Sequence, residues 1–181
     1  ACSIRLLFKY GRRKTVRVKV DGIIFDFPDS WQVSKYDNWA FYRHHFSTML
    51  DGIKGVDLIA IYRQDIWLIE VKDYRQSRRT KAQYLAEEVT EKVLYTIAAM
   101  LPAKINASDK SEANFARKVL QGKQLQVVLH LEQPETHSRL FPRAINPVDV
   151  QQKLRRLIKP IAPHPKVVES TRMQSVPWSV I

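Results

Sequence analysis

Asp57, Glu70 and Lys72 are the residues whose types and spacing could do chemistry in this chain. Asp57 lies at the start of the apolar run from Val56 to Tyr62. Glu70 and Lys72 finish the run from Ile66 to Lys72, with Arg63-Gln64-Asp65 between the two runs. Leu58, Ile59, Ala60 and Ile61, like Ile66, Trp67, Leu68 and Ile69, leave neither face polar, as in strands covered on both sides of a sheet. Charge placed abruptly at the ends of such strands is costly unless it binds something. A two-residue loop that pairs Arg63 with Ile66 sets Asp57 opposite Lys72 and Ile59 opposite Glu70. Side chains two apart share a face, so all three charged groups then point the same way. A three-residue loop would put Asp57 beside Val71 and break the cluster. Two carboxylates with the main-chain carbonyl of Val71 suit a hard cation, Mg²⁺ or Mn²⁺. Such an ion stabilises charge on a scissile phosphate and lowers the pKa of a bound water, while Lys72 orients that water or offsets negative charge.

The elements that must hold these residues read as one α/β unit. Ile4 to Tyr10, Thr15 to Val20 and Ile23 to Phe27 are β-like. Val16, Val18 and Val20 alternate with Arg17 and Lys19, the period of a half-exposed strand with a basic outer face. Asp37 or Asn38 is expected to cap a helix to about Leu50, stopped by Gly52, because Trp39, Tyr42, Phe46 and Met49 recur at helical spacing. A second helix is expected from about Lys81 to Met100. Its stripe is Ala82, Leu85, Val89, Val93, Ile97 and Met100, with Glu87, Glu88 and Glu91 facing solvent. A short helix over 111–120 closed by Gly122 follows, then a buried strand from Leu125 to Leu131. Asn146 and Pro147 open a last helix with Val150, Leu154, Leu157 and Ile158 inward, ended by Pro160. From Lys166 the chain is expected to be extended, with a last strand near 176–181. The organisation expected is a single domain over 1–181: basic N-terminal strands over 1–30, a core over 37–131, and a C-terminal helix and tail over 146–181.

The run from Gly55 to Ile61, a short turn, and then Ile69-Glu70-Val71-Lys72 resembles the active-site hairpin of the PD-(D/E)XK, or restriction-endonuclease-like, nucleases. The resemblance covers roughly Asp37 to Met100. It implies a restriction-endonuclease-like core, a mixed central β-sheet flanked by helices, with the basic N-terminal β-hairpin added to it. It also implies a Mg²⁺-dependent phosphodiester hydrolase, an endonuclease acting most often on DNA. By position, Asp57 and Glu70 become metal ligands together with the Val71 carbonyl, and Lys72 the catalytic lysine. Gln83, on the following helix, is placed to touch a phosphate or the metal's waters. The alternative on the same scaffold is a catalytically inactive nucleic-acid-binding module or subunit.

Charge supports a polyanionic partner. Lys and Arg number 30 against 18 Asp and Glu, a formal +12, and each phosphate neutralised by a basic side chain releases counterions. The charge is segregated: Arg12, Arg13 and Lys14 stand in an acid-free N-terminal stretch, and Arg75, Arg78, Arg79 and Lys81 follow the hairpin. These seven are the expected phosphate contacts, with DNA favoured over RNA. Cutting both strands of a duplex would favour a homodimer, or a place in a larger nucleoprotein complex. The single cysteine, Cys2, excludes an internal disulfide and a cysteine zinc site. No apolar run approaches the ~20 residues of a membrane span. These features lead to the expectation of an intracellular, cytoplasmic protein, with the nucleoid as one place for it. His44 and His45 are adjacent on a helix and diverge, Trp67 reads as core, and no phosphate-binding glycine loop or serine nucleophile elbow is present.

Overall fold

The computed structural model describes residues 15–76, 84–134 and 145–181. The expected strand Ile4 to Tyr10 lies outside them. Among the described residues eight strands and three longer helices form three layers. The central one is a five-stranded mixed sheet of β3 (Gln32–Lys35), β4 (Leu58–Tyr62), β5 (Asp65–Asp73), β6 (Gln124–Glu132) and β7 (Lys166–Val168), side by side in that order. β3, β4 and β5 are antiparallel neighbours, whereas β5, β6 and β7 run parallel. Parallel pairing needs crossovers, and between β5 and β6 these are α1 (Leu85–Asn106) and α2 (Lys110–Leu120). α3 (Pro147–Ile158) connects β6 to β7, with Asn146 accepting from the Val148 amide as its cap.

The mixed α/β character and the mixed sheet with helices are as expected, but all three helices pack on one face. Ile59, Ile61, Ile66, Leu68, Val127 and Leu129 meet Val89, Val93, Met100, Val119, Leu154 and Ile158 there. The opposite face is covered by a second, antiparallel sheet of β1 (Thr15–Val20), β2 (Ile23–Pro28) and β8 (Ser179–Val180). Its inward residues Phe25 and Phe27, with Trp31 and Trp178, pack on Leu58, Trp67, Ile69 and Val128. The two-sided apolar strands β4 and β5 are thereby buried without helices on the second face. Arg17 and Lys19 face outward from β1, as alternation demands.

The expected helix up to Leu50 is broken. Tyr36–Asn38 is a single tight turn, Trp39 is extended, and a widened turn spans Tyr42–Phe46. The helical spacing of Trp39, Tyr42 and Phe46 reflects burial in one aromatic cluster rather than one continuous helix. Neither Asp37 nor Asn38 caps it. The orphan amides of Ala40 and Phe41 instead donate to the two carboxylate oxygens of Glu112 on α2, at 2.6 and 3.1 Å. Gly52, at φ 116°, does end the segment. Glu112 is 8% exposed, so its loss strands the buried amide of Phe41 and the part-buried amide of Ala40. Glu112→Ala is expected to cost about 2 kcal/mol in urea unfolding and Glu112→Gln about half of that. Equal midpoints for wild type and Glu112→Ala would show that water replaces the cap.

Two smaller expectations also fail. Leu157 is 43% exposed rather than inward. Glu87 and Glu88 do not simply face solvent: Lys153 pairs with Glu87, and Lys72 reaches Glu88 at 2.6 Å. Among the described residues no helix is long and apolar enough to cross a membrane.

Candidate functional site

The turn between β4 and β5 is Arg63-Gln64, since Tyr62 pairs with Asp65 and Leu58 with Ile69. The register is thus shifted by two from the one expected. One step beyond the last pair, Asp57 stands opposite Glu70 rather than Lys72. A shift of two preserves the face, so Asp57, Glu70 and Lys72 all lie on the side covered by α1.

Each carboxylate is held differently. Asp57 accepts from the Val71 amide through Oδ2 at 2.7 Å, and its carbonyl accepts from the Tyr36 amide. Glu70 is 1% exposed, and its Oε1 receives Lys92 Nζ at 2.5 Å and Lys72 Nζ at 3.1 Å. Its Oε2 has no hydrogen-bond partner among the described residues. Lys72 also reaches Glu88, so α1 supplies one cation and one anion to the cluster. Burial first, and then neighbouring Asp57, raise the Glu70 carboxyl to about 7 against the pull of Lys92 and Lys72. Burial likewise raises Asp57, opposed by Lys92, the Val71 amide and Lys72. For Lys72 burial acts downward, but Glu70 and Glu88 outweigh it and hold the ammonium above its ordinary range.

Lys92 and Glu88 were not anticipated. Their only signal was position: Lys92 sits between Val89 and Val93 at the edge of the buried stripe of α1, where a lysine needs a partner. Val71 offers its backbone, while its side chain points into the opposite core. Arg75 is described, and its guanidinium is forked onto Asp73 at 3.0 and 2.7 Å. Gln83, Arg78, Arg79 and Lys81, like Arg12, Arg13 and Lys14, lie outside the described residues. His44 and His45 are exposed, and Trp67 is buried.

A second polar cluster lies on the other face of the sheet. His130, fully buried, has Nε2 at 2.7 Å from Glu132 Oε1. The same oxygen accepts from the Ser170 amide at 2.7 Å and from the Ser170 hydroxyl. Burial alone would raise Glu132, but the hydrogen bonds from His130 and Ser170 overcome it and hold the carboxyl at about 2.

Among the described residues no group of three or more His, Cys, Asp or Glu side chains is placed to hold a metal. Asp57 and Glu70 stand opposite each other, and Glu70 Oε2, unpartnered among the described residues, is one oxygen donor of the kind a hard cation takes.

Comparison with known proteins changes the functional expectation. The chain is 27% identical over 199 aligned residues to a cysteine–tRNA ligase from Neisseria meningitidis serogroup A, covering 87% of this chain and 28% of that protein. The chain therefore spans less than a third of its relative's length. No family model matches, and no solved structure matches. The similarity to a tRNA ligase overturns the expectation of a metal-dependent endonuclease and phosphodiester hydrolase. The Asp, Glu-X-Lys spacing that carried that expectation is short. In the fold its Glu70 is already engaged by two lysines.

Proposed function

We propose that this chain is a basic, nucleic-acid-binding module that handles tRNA within a tRNA-ligase-like protein. The observation that carries this reading is the alignment with a cysteine–tRNA ligase across 87% of the chain. The formal charge of +12 supports it, since a tRNA backbone is a dense polyanion. A chain that matches 28% of the ligase serves as a binding part more readily than as the whole catalyst. In this reading the five-stranded sheet with α1 is a restriction-endonuclease-like scaffold used for binding. Asp57, Glu70 and the Val71 carbonyl are the residues that would hold Mg²⁺. When bound, such an ion would offset the charge of the carboxylate pair and attract a backbone phosphate. Lys72 and Lys92 hold the Glu70 carboxylate in place for it.

The test is fluorescence anisotropy with labelled tRNA and with a DNA duplex of similar charge. Between about 50 and 200 mM salt, tRNA affinity should fall at least tenfold, as counterion release requires. The chain should favour tRNA over the duplex, and Mg²⁺ should tighten binding for wild type more than for Glu70→Gln. Affinity for tRNA that is absent at low salt, or indifferent to salt, would sink the proposal.

A further inference from the structure

The end of the sheet farthest from Asp57 and Glu70 along the β4–β5 hairpin carries a feature that the Asp57–Glu70 cluster does not explain. Arg63, at the tip, is held at φ 56°, a left-handed conformation that costs any residue with a Cβ. Its guanidinium carbon sits 5.1 Å over the Tyr62 ring. Tyr62 in turn stacks on Trp31, with centroids 5.0 Å apart and planes within 8°. Trp31 is buried, Tyr62 half-buried and Arg63 exposed. The three flat groups form a column rooted in the core, with a cationic plane as its outer surface.

Basic residues gather at this end of the sheet. Arg117 and Lys118 occupy the last turn of α2, and Lys118 Nζ donates to Gln32 Oε1 at 2.8 Å, next to Trp31. Lys123 donates its amide to the Gln64 carbonyl at 2.8 Å, which ties it to the hairpin tip. Gly122 permits that approach, since a Cβ there would fall 2.3 Å from Ile66 Cγ1. Arg63, Arg117, Lys118 and Lys123 are all exposed; Asp29 and Asp65 are the acids on the same strand ends. Positive charge therefore prevails at this end of the sheet.

We infer that the hairpin tip is a docking post for an unpaired stretch of RNA. A base stacks on the outer face of Arg63, and Lys118 and Lys123 meet the flanking phosphates. Aromatic and guanidinium stacking is tolerant of base identity, while nearby lysines track the backbone. The left-handed Arg63 points the same way. Glycine would fit that turn better, so the arginine is kept at the expense of backbone comfort. The inference rests on the tRNA-handling reading and names the surface that performs it.

Arg63→Gly separates this role from a structural one, because it relieves the backbone while removing the stacking plane. Binding of the whole chain to a labelled single-stranded oligouridine should weaken about tenfold, while the thermal midpoint stays level or rises. Lys118→Ala with Lys123→Ala should weaken binding and reduce its salt dependence. Lys104→Ala, which removes from α1 the same single charge as Arg63→Gly, should change affinity less than twofold. If Arg63→Gly binds RNA as wild type does, or loses no more than Lys104→Ala, the post is wrong and the tRNA-handling reading is untouched. A wild-type chain that binds no RNA overturns both readings. An oligothymidine bound as tightly as oligouridine would assign the post to single strands generally and overturn its assignment to RNA.

Discussion

Lys92→Met is expected to cost about 3–5 kcal/mol at pH 8, the range seen when one partner of a buried ion pair is removed. Glu70 is 1% exposed, faces Asp57, and takes its shortest contact, 2.5 Å, from Lys92. Lys72 remains at 3.1 Å but is shared with Glu88, so it compensates in part. The loss should depend on pH. In the wild type the Glu70 carboxyl is raised to about 7 from an unfolded value of 4.5. Between those values the folded protein holds a proton that the unfolded chain has released, so stability falls as pH rises through the window. Without Lys92 the carboxyl moves further up. At pH 5.5 it is protonated in the variant, and the penalty of an unpaired buried charge largely disappears. Urea unfolding of both proteins at pH 5.5 and 8, without divalent ions, reads this directly. Lys92→Met combined with Glu70→Gln should recover most of the loss at pH 8. A loss equal at both pH values would mean that Lys92 contributes packing rather than charge.

How much of this site could be read from the sequence follows from the range of each interaction. β4 and β5 were legible because Leu58–Ile61 and Ile66–Ile69 are β-rich on both faces and the break between them is short. Their shared face was legible because strand parity survives a shift of two. The register itself was not. Arg63-Gln64-Asp65 contains no glycine or asparagine to mark a turn, and the choice is made by distant partners. Asp65 pairs with Gln124 in β6, and Lys123 donates to the Gln64 carbonyl. The broken segment before Gly52 failed for the same reason, because its amides are satisfied by Glu112, 72 residues away from Ala40. Lys92 was missed because lysines on helices are ordinarily solvated. The carboxylates themselves were found; what a short Asp, Glu-X-Lys pattern does not specify is the purpose they serve. The position of the small sheet was also hidden. Nothing in the alternation of Val16, Val18 and Val20 says which surface it will cover, and it is Phe25, Phe27 and Trp178 that settle it against Trp67 and Val128.

Glu132→Gln is expected to remove up to about 3 kcal/mol at neutral pH and to change the acid limb of the stability curve. One oxygen of Glu132 gathers the His130 ring, the Ser170 amide and the Ser170 hydroxyl, and so pins the segment after β7 against the end of β6. Its carboxyl is held at about 2, below the ordinary 4.5. For a depressed carboxyl the stabilisation is present in full above the unfolded pKa and is lost as pH falls through the folded one. Wild type should therefore shed this contribution between about pH 4.5 and 2, whereas Glu132→Gln has none to shed there. This slope has the opposite sign to that of Glu70, which costs stability as pH rises toward 7. Together they place the pH of greatest stability near the ordinary carboxylate value of 4.5, on the acidic side of neutrality. Removing Glu132 should flatten the acid limb and leave the decline toward pH 7 intact. Unfolding by guanidinium at half-unit steps from pH 3 to 8 checks both limbs at once, and a variant whose acid limb retains the wild-type slope would show that the Ser170 and His130 contacts are neutral in free energy.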